Sequence, residues 1–280
     1  MTRNVLITGG SSGIGRALVM RFAASGDRVW FTHRLGTERA QQLLVELARA
    51  GLSSVQALEL SQGDWESHNR LRDALPERVD VLINNAALGS KTVLQHVSGP
   101  AHEHDTAFMQ VNCVGPLWLI RSIVPGMIER GYGKVVNVSS VGGGVTQFPG
   151  FHIADGMSKA ALSYLTRHLA AELAQAPVDV FAVCPGAVDT PMLEASTLAS
   201  LSPLERTELE ARLPKGRLIQ PEEIAETVWW LCTAASRVMH GAVIDASMGL
   251  GVHPGMLTSW RPAPKSTPVT VRACDEEMSR

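Results

Sequence analysis

The sequence predicts an α/β protein built as a doubly wound parallel sheet with helices on both faces, a three-layer αβα sandwich. Three observations predict it. Short β-rich apolar runs alternate with segments of helical apolar spacing along most of the chain, and a glycine-rich turn joins the first run to the first helical segment. A chain of 280 residues with 45% apolar content can also bury one large core. Such alternation produces right-handed crossovers between parallel strands that are covered on both faces.

The elements follow from the spacing of apolar residues. Seven short runs are the predicted strands: 5–8, 28–32, 55–60, 79–84, 134–139, 178–184 and 242–246. The intervening segments with helical spacing are the predicted helices: 13–26, 37–50, 64–75, 103–130, 156–175 and 221–235. Because sheets of this kind bind ligands at the carboxyl ends of their strands, the functional residues are expected in the loops that follow the strands.

Residues 1–250 are expected to form a single domain. Residues 190–216 interrupt the alternation with Leu, Glu, Pro and Ser. We expect them to form a helical insert over the carboxyl edge of the sheet, where it would serve as a substrate lid. Residues 251–280 contain several prolines and no clear period, which indicates either a partly disordered tail or an arm that reaches a neighbouring subunit.

Composition narrows the class of partner to a small-molecule substrate. A net charge of -2 and a pI near 6.5 supply no basic field for nucleic acid or an anionic membrane. No apolar run approaches the roughly 20 residues of a membrane span, and the first residues lack the features of a signal peptide. The four cysteines form no CxxC pair, which favours free thiols in a reducing cytoplasm. His102 and His104 have no third residue at metal-ligand spacing, so no metal is expected.

The glycine-rich turn has the sequence Thr-Gly-Gly-Ser-Ser-Gly-Ile-Gly, from Thr8 to Gly15. Glycines between a strand and a helix let backbone amides approach a pyrophosphate at the positive helix terminus. With Thr8, Gly9, Gly13 and Gly15 in a TGxxxGxG pattern, the chain resembles the short-chain dehydrogenase/reductase family from Asn4 to Gly249.

Further motifs of that family follow in order. They are Asn84–Ala87 in place of NNAG, Asn112, Val138–Ser140, Ser158–Ala161, Pro185–Pro191, Pro221–Ala225, and Ile244–Ser247 where VDGG is usual. The resemblance implies a Rossmann fold, an NAD(P)-dependent oxidoreductase activity and a homo-oligomer, either a dimer or a tetramer.

The resemblance also implies which residues hold the cofactor. The diphosphate and its ribose would contact Gly9, Ser11, Gly13, Ile14 and Gly15, and the adenosine ribose would lie near Asn85 and Ala86. The nicotinamide end would be held by Pro185, Gly186, Val188 and Thr190, with Lys159 at its ribose.

The end of the second predicted strand favours NADP(H) over NAD(H). It runs Phe31-Thr32-His33-Arg34 and lacks the acidic residue that would bond the ribose hydroxyls of NAD. The Arg34 guanidinium can grip a phosphate through two hydrogen bonds, helped by Thr32 and Arg39. The alternative is that Arg34 is simply solvated.

The resemblance implies a catalytic Ser-Tyr-Lys trio assisted by an Asn, of which Ser140, Lys159 and Asn112 are present. In the family the Tyr exchanges a proton with the substrate oxygen and the Ser orients that oxygen. The Lys lowers the Tyr pKa and bonds the nicotinamide ribose, and the Asn secures a relay water. The Tyr position lies four residues before Lys159, on the same helical face, and it is occupied by Asp155.

Neither tyrosine of the chain is placed to substitute for the missing phenol. Tyr164 lies nine residues beyond Asp155, which at about 100° per residue is the opposite helical face. Tyr132 precedes the strand that ends near Ser140, at the wrong end of the sheet.

Asp155 changes the expected chemistry, because the reference pKa of Asp is about 3.9 and that of Tyr is about 10. With Lys159 nearby we expect a carboxylate, which suits a cationic C=N group better than a ketone. Three alternatives stay open. The first is C=O reduction with Ser140, a water or a protonated Asp155 as donor. The second is a non-redox cyclase or proton-transfer enzyme that retains the cofactor and uses Asp155 as base. The third is a silent nucleotide-binding protein in which Asp155 only begins a helix. His152 is either a further proton donor or a solvated side chain.

Overall fold

Seven strands, all parallel, form one sheet in the order β3-β2-β1-β4-β5-β6-β7. The structure is a computed structural model that describes residues 2–148 and 152–252. The strands are β1 Asn4–Ile7, β2 Arg28–His33, β3 Val55–Glu59, β4 Val81–Asn84, β5 Gly133–Val138, β6 Val178–Pro185 and β7 Val243–Ala246. From β1 the chain adds strands on one side of the sheet and from β4 onward on the other side, so a crevice for a ligand opens at the carboxyl ends of these two strands.

Helices cover both faces of the sheet and supply most of the crossovers. They are α1 Gly13–Ala24, α2 Thr37–Arg49, α3 Trp65–Ala74, α4 Ser90–His96, α5 Ala101–Met109, α6 Gly115–Glu129, α7 Val141–Gly144, α8 Ile153–Glu172, α9 Pro191–Ser196, α10 Pro203–Arg212 and α11 Pro221–Leu231. A π-helical turn, Gln110–Val114, joins α5 to α6. The predicted doubly wound sandwich is confirmed. Helix α8 begins three residues before its predicted start, which places Asp155 in its first turn.

The core has two layers, one on each face of the sheet. Along β1, Val5 and Ile7 face the layer formed with α1 and α11, whereas Leu6 faces the layer formed with α6. All three side chains are fully buried. Successive side chains of a strand point to opposite faces, so a strand covered on both faces reads as a continuous apolar run.

Ala101–Glu129, which comprises α5, the π turn and α6, is long and apolar enough to cross a membrane by length and composition. In the structure this segment is the crossover between β4 and β5. It buries Leu119, Ile120 and Met127 against one face of the sheet. A core helix of an α/β sandwich is therefore long and apolar enough to resemble a membrane-spanning helix in composition.

Residues 190–216 are mainly helical in the structure. This insert contains α9, α10 and two short 3₁₀ turns, and Leu198, Leu213 and Leu218 form a small core of their own. Its Met192 packs against Gly89 at the start of α4, so the insert lies over the carboxyl end of the sheet. The predicted tail lies outside the described residues from 253 onward.

Candidate active site

The glycine turn between β1 and α1 is shaped by positions that exclude a side chain. Gly9 and Gly13 have φ values of +68° and +52°, and a Cβ on Gly15 would collide with the Gly9 carbonyl oxygen. The Asn85 side-chain amide donates to the carbonyl oxygens of Thr8 and Gly9 at 2.9 and 3.2 Å. The loop after β4 thus braces the turn, and its glycines leave the close backbone approach that fits the diphosphate of a dinucleotide.

Thr32 differs in role from its sequence-based expectation. Its side chain is 1% exposed, and its hydroxyl accepts from the Gly9 amide at 3.2 Å. The Thr32 carbonyl accepts from Gly10 at 2.9 Å. Thr32 therefore supports the glycine turn, and its burial leaves almost no surface for contact with a phosphate.

A corner suited to an anion lies just beyond β2. Arg34 is half-buried there and Arg39 is exposed on the first turns of α2. A Cβ on Gly36 would lie 2.7 Å from the Ser11 hydroxyl and 3.5 Å from two guanidinium nitrogens of Arg39. Ser11 and Arg39 therefore converge on one backbone position, two residues after Arg34.

The loop after β6 crosses to the same turn. The Thr190 hydroxyl caps α9 by accepting from the Leu193 amide at 3.2 Å, and its methyl group lies 3.1 Å from where a Cβ of Gly13 would be. Gly186 packs against Ser247. The structure thus brings the loop that carries Pro185, Gly186, Val188 and Thr190 together with the turn that carries Gly9, Ser11, Ile14 and Gly15.

Asn112 is fully buried in the π turn, and both polar atoms of its side-chain amide are hydrogen-bonded. Its Oδ1 accepts from the Leu88 amide at 2.7 Å, and its Nδ2 donates to the Leu88 carbonyl at 3.0 Å and to the Ser158 hydroxyl at 3.1 Å. Ser158 in turn donates to the Asp155 carbonyl at 2.7 Å. Ser158 therefore links Asn112 to the backbone of Asp155. The sequence offers only one signal for this role, the position of Ser158 directly before Lys159.

Ser140 begins the short α7 turn and lies beside α8. Its hydroxyl accepts from the Gly142 amide at 3.2 Å, and no described residue takes its proton. Gly143 has φ +91°, and a Cβ there would collide with the Gly156 carbonyl oxygen in the first turn of α8. The absence of a side chain on Gly143 therefore lets α7, which follows Ser140, pack closely on the first turn of α8.

Asp155 and Lys159 are both buried, with 6% and 8% of their surface exposed. No described residue donates a hydrogen bond to the Asp155 carboxyl group. The Lys159 ammonium donates instead to the Val138 carbonyl at the end of β5, at 3.4 Å. The two side chains are on one face of α8, one turn apart, but they are not in direct contact.

Burial dominates the titration of both groups. It raises the pKa of Asp155, and the nearby charges of Lys159 and His152 only partly oppose that rise. Burial likewise lowers the pKa of Lys159, against the opposing effect of Asp155 and Cys184. The pKa of Asp155 thus lies above that of an ordinary Asp, because desolvation outweighs the attraction of Lys159, and its ionisation as a carboxylate stays a prediction.

No phenol occupies the vacancy. Tyr132 is half-buried beside Arg3 at the amino ends of the strands, and Tyr164 is 69% exposed and stacked on His168. These are the two tyrosines of the chain. The ring of His152 is exposed and packs on Phe108, with 4.8 Å between ring centroids.

Two cavities in the described residues have no Asp155 atom in their lining. One, of about 830 Å³, lies between α5 and the start of α8 and is lined by Met109, Ile153 and Met157 among others. Ile153 and Met157 are each two residues from Asp155, about 200° around the helix. The other, of about 430 Å³, lies between α3 and α6. The crevice at the carboxyl ends of the strands is therefore the candidate active site.

The comparisons with known proteins agree with this geometry. The family profile described as Enoyl-(Acyl carrier protein) reductase matches residues 9–251. The chain is 32% identical to acetoacetyl-CoA reductase of Cupriavidus necator over 91% of its own length and 100% of that protein. It is 31% identical to 3-oxoacyl-(acyl-carrier-protein) reductase of Aquifex aeolicus over 88% and 96%.

Among solved structures, a variant of actinorhodin polyketide ketoreductase with NADPH superposes with a TM-score of 0.79. The two are 30% identical over 89% of this chain and 97% of that one. The chain belongs to the short-chain dehydrogenase/reductase family. It is an NAD(P)-dependent reductase with the Rossmann fold of that family.

The contact between α7 and α8 makes a sharp stability prediction. We expect Gly143→Ala to destabilise the protein by more than about 2 kcal/mol, because strain at positive φ and a backbone collision add together. We also expect it to lower reductase activity, since relief of the collision shifts the α7 turn that follows Ser140. Urea unfolding and steady-state kinetics measure the two effects.

Gly51→Ala is the matched control. Gly51 has a similar φ of +76°, but nothing lies within 4 Å of where its Cβ would be. We expect the strain alone there, about 1 kcal/mol, and unchanged activity. Equal destabilisation by the two substitutions would show that α7 does not pack on α8 as described.

Proposed function

We propose that this protein is an NADPH-dependent reductase of a C=N bond in a small molecule, with Asp155 as the proton partner of the substrate nitrogen. One observation carries the proposal: the carboxyl group of a residue that is only 6% exposed, with no hydrogen-bond donor among the described residues, takes the place of the phenol. A carboxyl group without a protein donor keeps its oxygens available for a ligand that supplies an N–H donor.

A protonated imine supplies both an N–H donor and a positive charge. Because burial raises the pKa of Asp155, its carboxyl group holds a proton more tightly than an ordinary Asp and is better matched to an imine nitrogen. Transfer of that proton to the nitrogen produces an iminium paired with the Asp155 carboxylate, which stabilises the charge at the reacting centre. A bound NADPH would supply the hydride to the carbon, so the product would be an amine.

The other site residues position the substrate. The Ser140 hydroxyl accepts from Gly142 and keeps its own proton available to the substrate. Lys159 would bond the nicotinamide ribose, and its charge favours the Asp155 carboxylate after the proton has left. Asn112, held by Leu88 and Ser158, would secure the water that returns a proton to the site.

The preference for NADP(H) rests on the corner beyond β2. Arg34 and Arg39 with the Ser11 hydroxyl offer charge-assisted donors to a ribose phosphate, and no acidic residue ends the strand to bind free ribose hydroxyls.

Reduction of a C=O bond is the second candidate, favoured by the names of the relatives, which are reductases of acetoacetyl-CoA and 3-oxoacyl groups. For a carbonyl substrate the protonated form of Asp155 would donate to the oxygen as it gains negative charge.

Three further features belong to this proposal. We place the enzyme in the cytoplasm, since Cys113, Cys184 and Cys232 are free thiols. The insert at 190–216 acts as the substrate lid. A second copy of the chain covers the apolar stripe of α8 formed by Ile153, Met157 and Tyr164, which are 79%, 55% and 69% exposed on one helical face.

The proposal is tested by following NADPH absorbance with a matched panel of cyclic imines and the corresponding ketones. We expect turnover with imines that exceeds turnover with ketones at neutral pH. Turnover with ketones alone would reject the C=N proposal in favour of the second candidate. Product formation without NADPH loss would reject both in favour of a non-redox enzyme, and binding of NADPH with no product from any substrate would contradict an enzymatic role.

A further inference from the structure

Gln62 is a buried polar side chain that joins two parts of the active site. It follows β3 in the loop before α3 and is 4% exposed. Its Nε2 donates to the Val111 carbonyl at 2.9 Å and to the Ala86 carbonyl at 3.2 Å. Val111 precedes Asn112, and Ala86 belongs to the loop that holds the glycine turn. One amide therefore fastens the Asn112 segment to the cofactor loop.

The Val111 carbonyl needs this donor because of the π turn. In a regular α-helix the Gly115 amide would bond Val111, but here it bonds Gln110, one residue earlier. The next residue, Pro116, has no amide hydrogen. The turn that points Asn112 inward therefore removes the helical donor from Val111, and Gln62 replaces it.

The backbone around Gln62 is shaped to reach this position. A Cβ on Gly115 would collide with the Gln62 carbonyl oxygen, so only glycine lets the two segments approach so closely. His68 of α3 holds the same carbonyl through its Nε2 at 2.9 Å. The reversed orientation of the Gln62 amide would set its oxygen against two carbonyl oxygens, so the donor role is dictated by its surroundings.

We propose that Gln62 is a positioning residue for Asn112: by satisfying Val111 it stabilises the π turn and sets the Asn112 amide against Leu88 and Ser158. The inference concerns the family's reductase activity and does not depend on whether the substrate is an imine or a ketone. Gln62 itself does not touch the reacting atoms.

The first test needs no substrate. The Leu88 amide bonds the Asn112 side chain, so its hydrogen exchange in the NADPH-bound protein reports the placement of Asn112. We expect Gln62→Met to speed Leu88 exchange about tenfold relative to the core amide of Val136, as loss of one buried hydrogen bond predicts. Gln62→Glu keeps the shape but presents no donor when ionised, and we expect the same direction.

Ser67→Ala is the matched control. Ser67 is buried in the first turn of α3, and its hydroxyl accepts from the amide of Ser61 in the Gln62 loop at 2.9 Å, but it makes no hydrogen bond to the π turn. We expect Leu88 exchange to be unchanged in this variant. If Ser67→Ala and Gln62→Met speed Leu88 exchange equally, the role of Gln62 is general loop stability and the proposal fails.

The second test uses turnover. We expect Gln62→Met to lower kcat about tenfold with less than about a twofold change in the Kd of NADPH. It should cause no further loss in a chain that already carries Asn112→Ala, because the two residues act as one unit. If the losses in kcat caused by the two substitutions instead multiply in the double variant, the proposal is overturned. If the enzyme turns over no imine, the assay uses a ketone that it does turn over. The hydrogen-exchange result does not depend on the proposed substrate.

Discussion

Asp155→Asn is expected to lower kcat/KM for an imine substrate by about 10²–10⁴-fold, the usual contribution of a positioned acid–base group. Asn preserves the size of the side chain but can neither donate a proton to the nitrogen nor balance the iminium charge. Steady-state loss of NADPH absorbance measures the effect, and the Kd of NADPH should change little because Asp155 is not among the residues expected to hold the cofactor.

The pH profile distinguishes the two roles of Asp155. With an imine, the Asp155–substrate pair must hold one proton, so kcat/KM falls on the acid side when both are protonated and on the alkaline side when neither is. The acid limb of the kcat/KM profile should lie at a higher pH than the pKa of an ordinary Asp, because burial raises the pKa of this carboxyl group. Asp155→Asn should remove that limb. With a ketone, the profile would instead have a single limb, in which kcat/KM falls as the pH rises.

Unfolding does not explain the expected loss. Folding raises the pKa of the Asp155 carboxyl group, so this group stabilises the native state at pH values below its pKa in the unfolded chain. That stabilisation is lost as the pH rises through its pKa in the folded protein. An Asn at this position avoids that loss, so the Tm of Asp155→Asn at pH 8 should equal or exceed that of the parent protein.

Two further variants sharpen the result. Asp105→Asn is the control, since Asp105 is exposed and lines the cavity on the other side of α8. Asp155→Tyr should raise ketone reduction and lower imine reduction. An Asp155→Asn enzyme with undiminished activity would remove Asp155 from the mechanism.

Arg34→Gln is expected to raise the Kd of NADPH about 10- to 100-fold while changing that of NADH by less than about twofold. Loss of a charge-assisted hydrogen bond costs about 1.5–3 kcal/mol, and each 1.4 kcal/mol is a factor of ten. Fluorescence titration of both dinucleotides measures the ratio. Arg39→Gln should act in the same direction, because Arg39 converges with Ser11 on Gly36.

Arg49→Gln provides the matched control for charge. Arg49 is exposed in the last turn of the same helix, at the opposite end from Arg39. We expect no change in either Kd. A parallel rise in the Kd of NADPH and NADH for Arg34→Gln would place Arg34 outside the phosphate site and leave the cofactor preference unsupported.

Much of the fold follows from local patterns in the sequence. The strand β1 is a continuous apolar run because Val5, Leu6 and Ile7 are buried on alternate faces of the sheet. Such a run predicts a parallel sheet that is covered on both faces. The glycine turn and the alignment of Asp155 with Lys159 are local spacings as well. Each was therefore predictable without knowledge of distant contacts.

The remaining features depend on contacts between distant segments. The exclusion of a side chain from Gly143 arises from α8, which lies beyond it in the chain. The role of Gln62 arises from a carbonyl that the π turn and Pro116 leave without its helical donor. The raised pKa of Asp155 reflects burial by the whole site, whereas sequence spacing shows only the neighbouring Lys159. No periodicity encodes any of these three.

A crystal structure with NADP⁺ and the amine product bound tests the central claim most directly. The account predicts one carboxylate oxygen of Asp155 about 2.6–3.2 Å from the product nitrogen, on the side of the nicotinamide that transfers hydride. A product nitrogen bonded only to Ser140 or to a water, with the Asp155 carboxyl group turned away from it, would contradict the account.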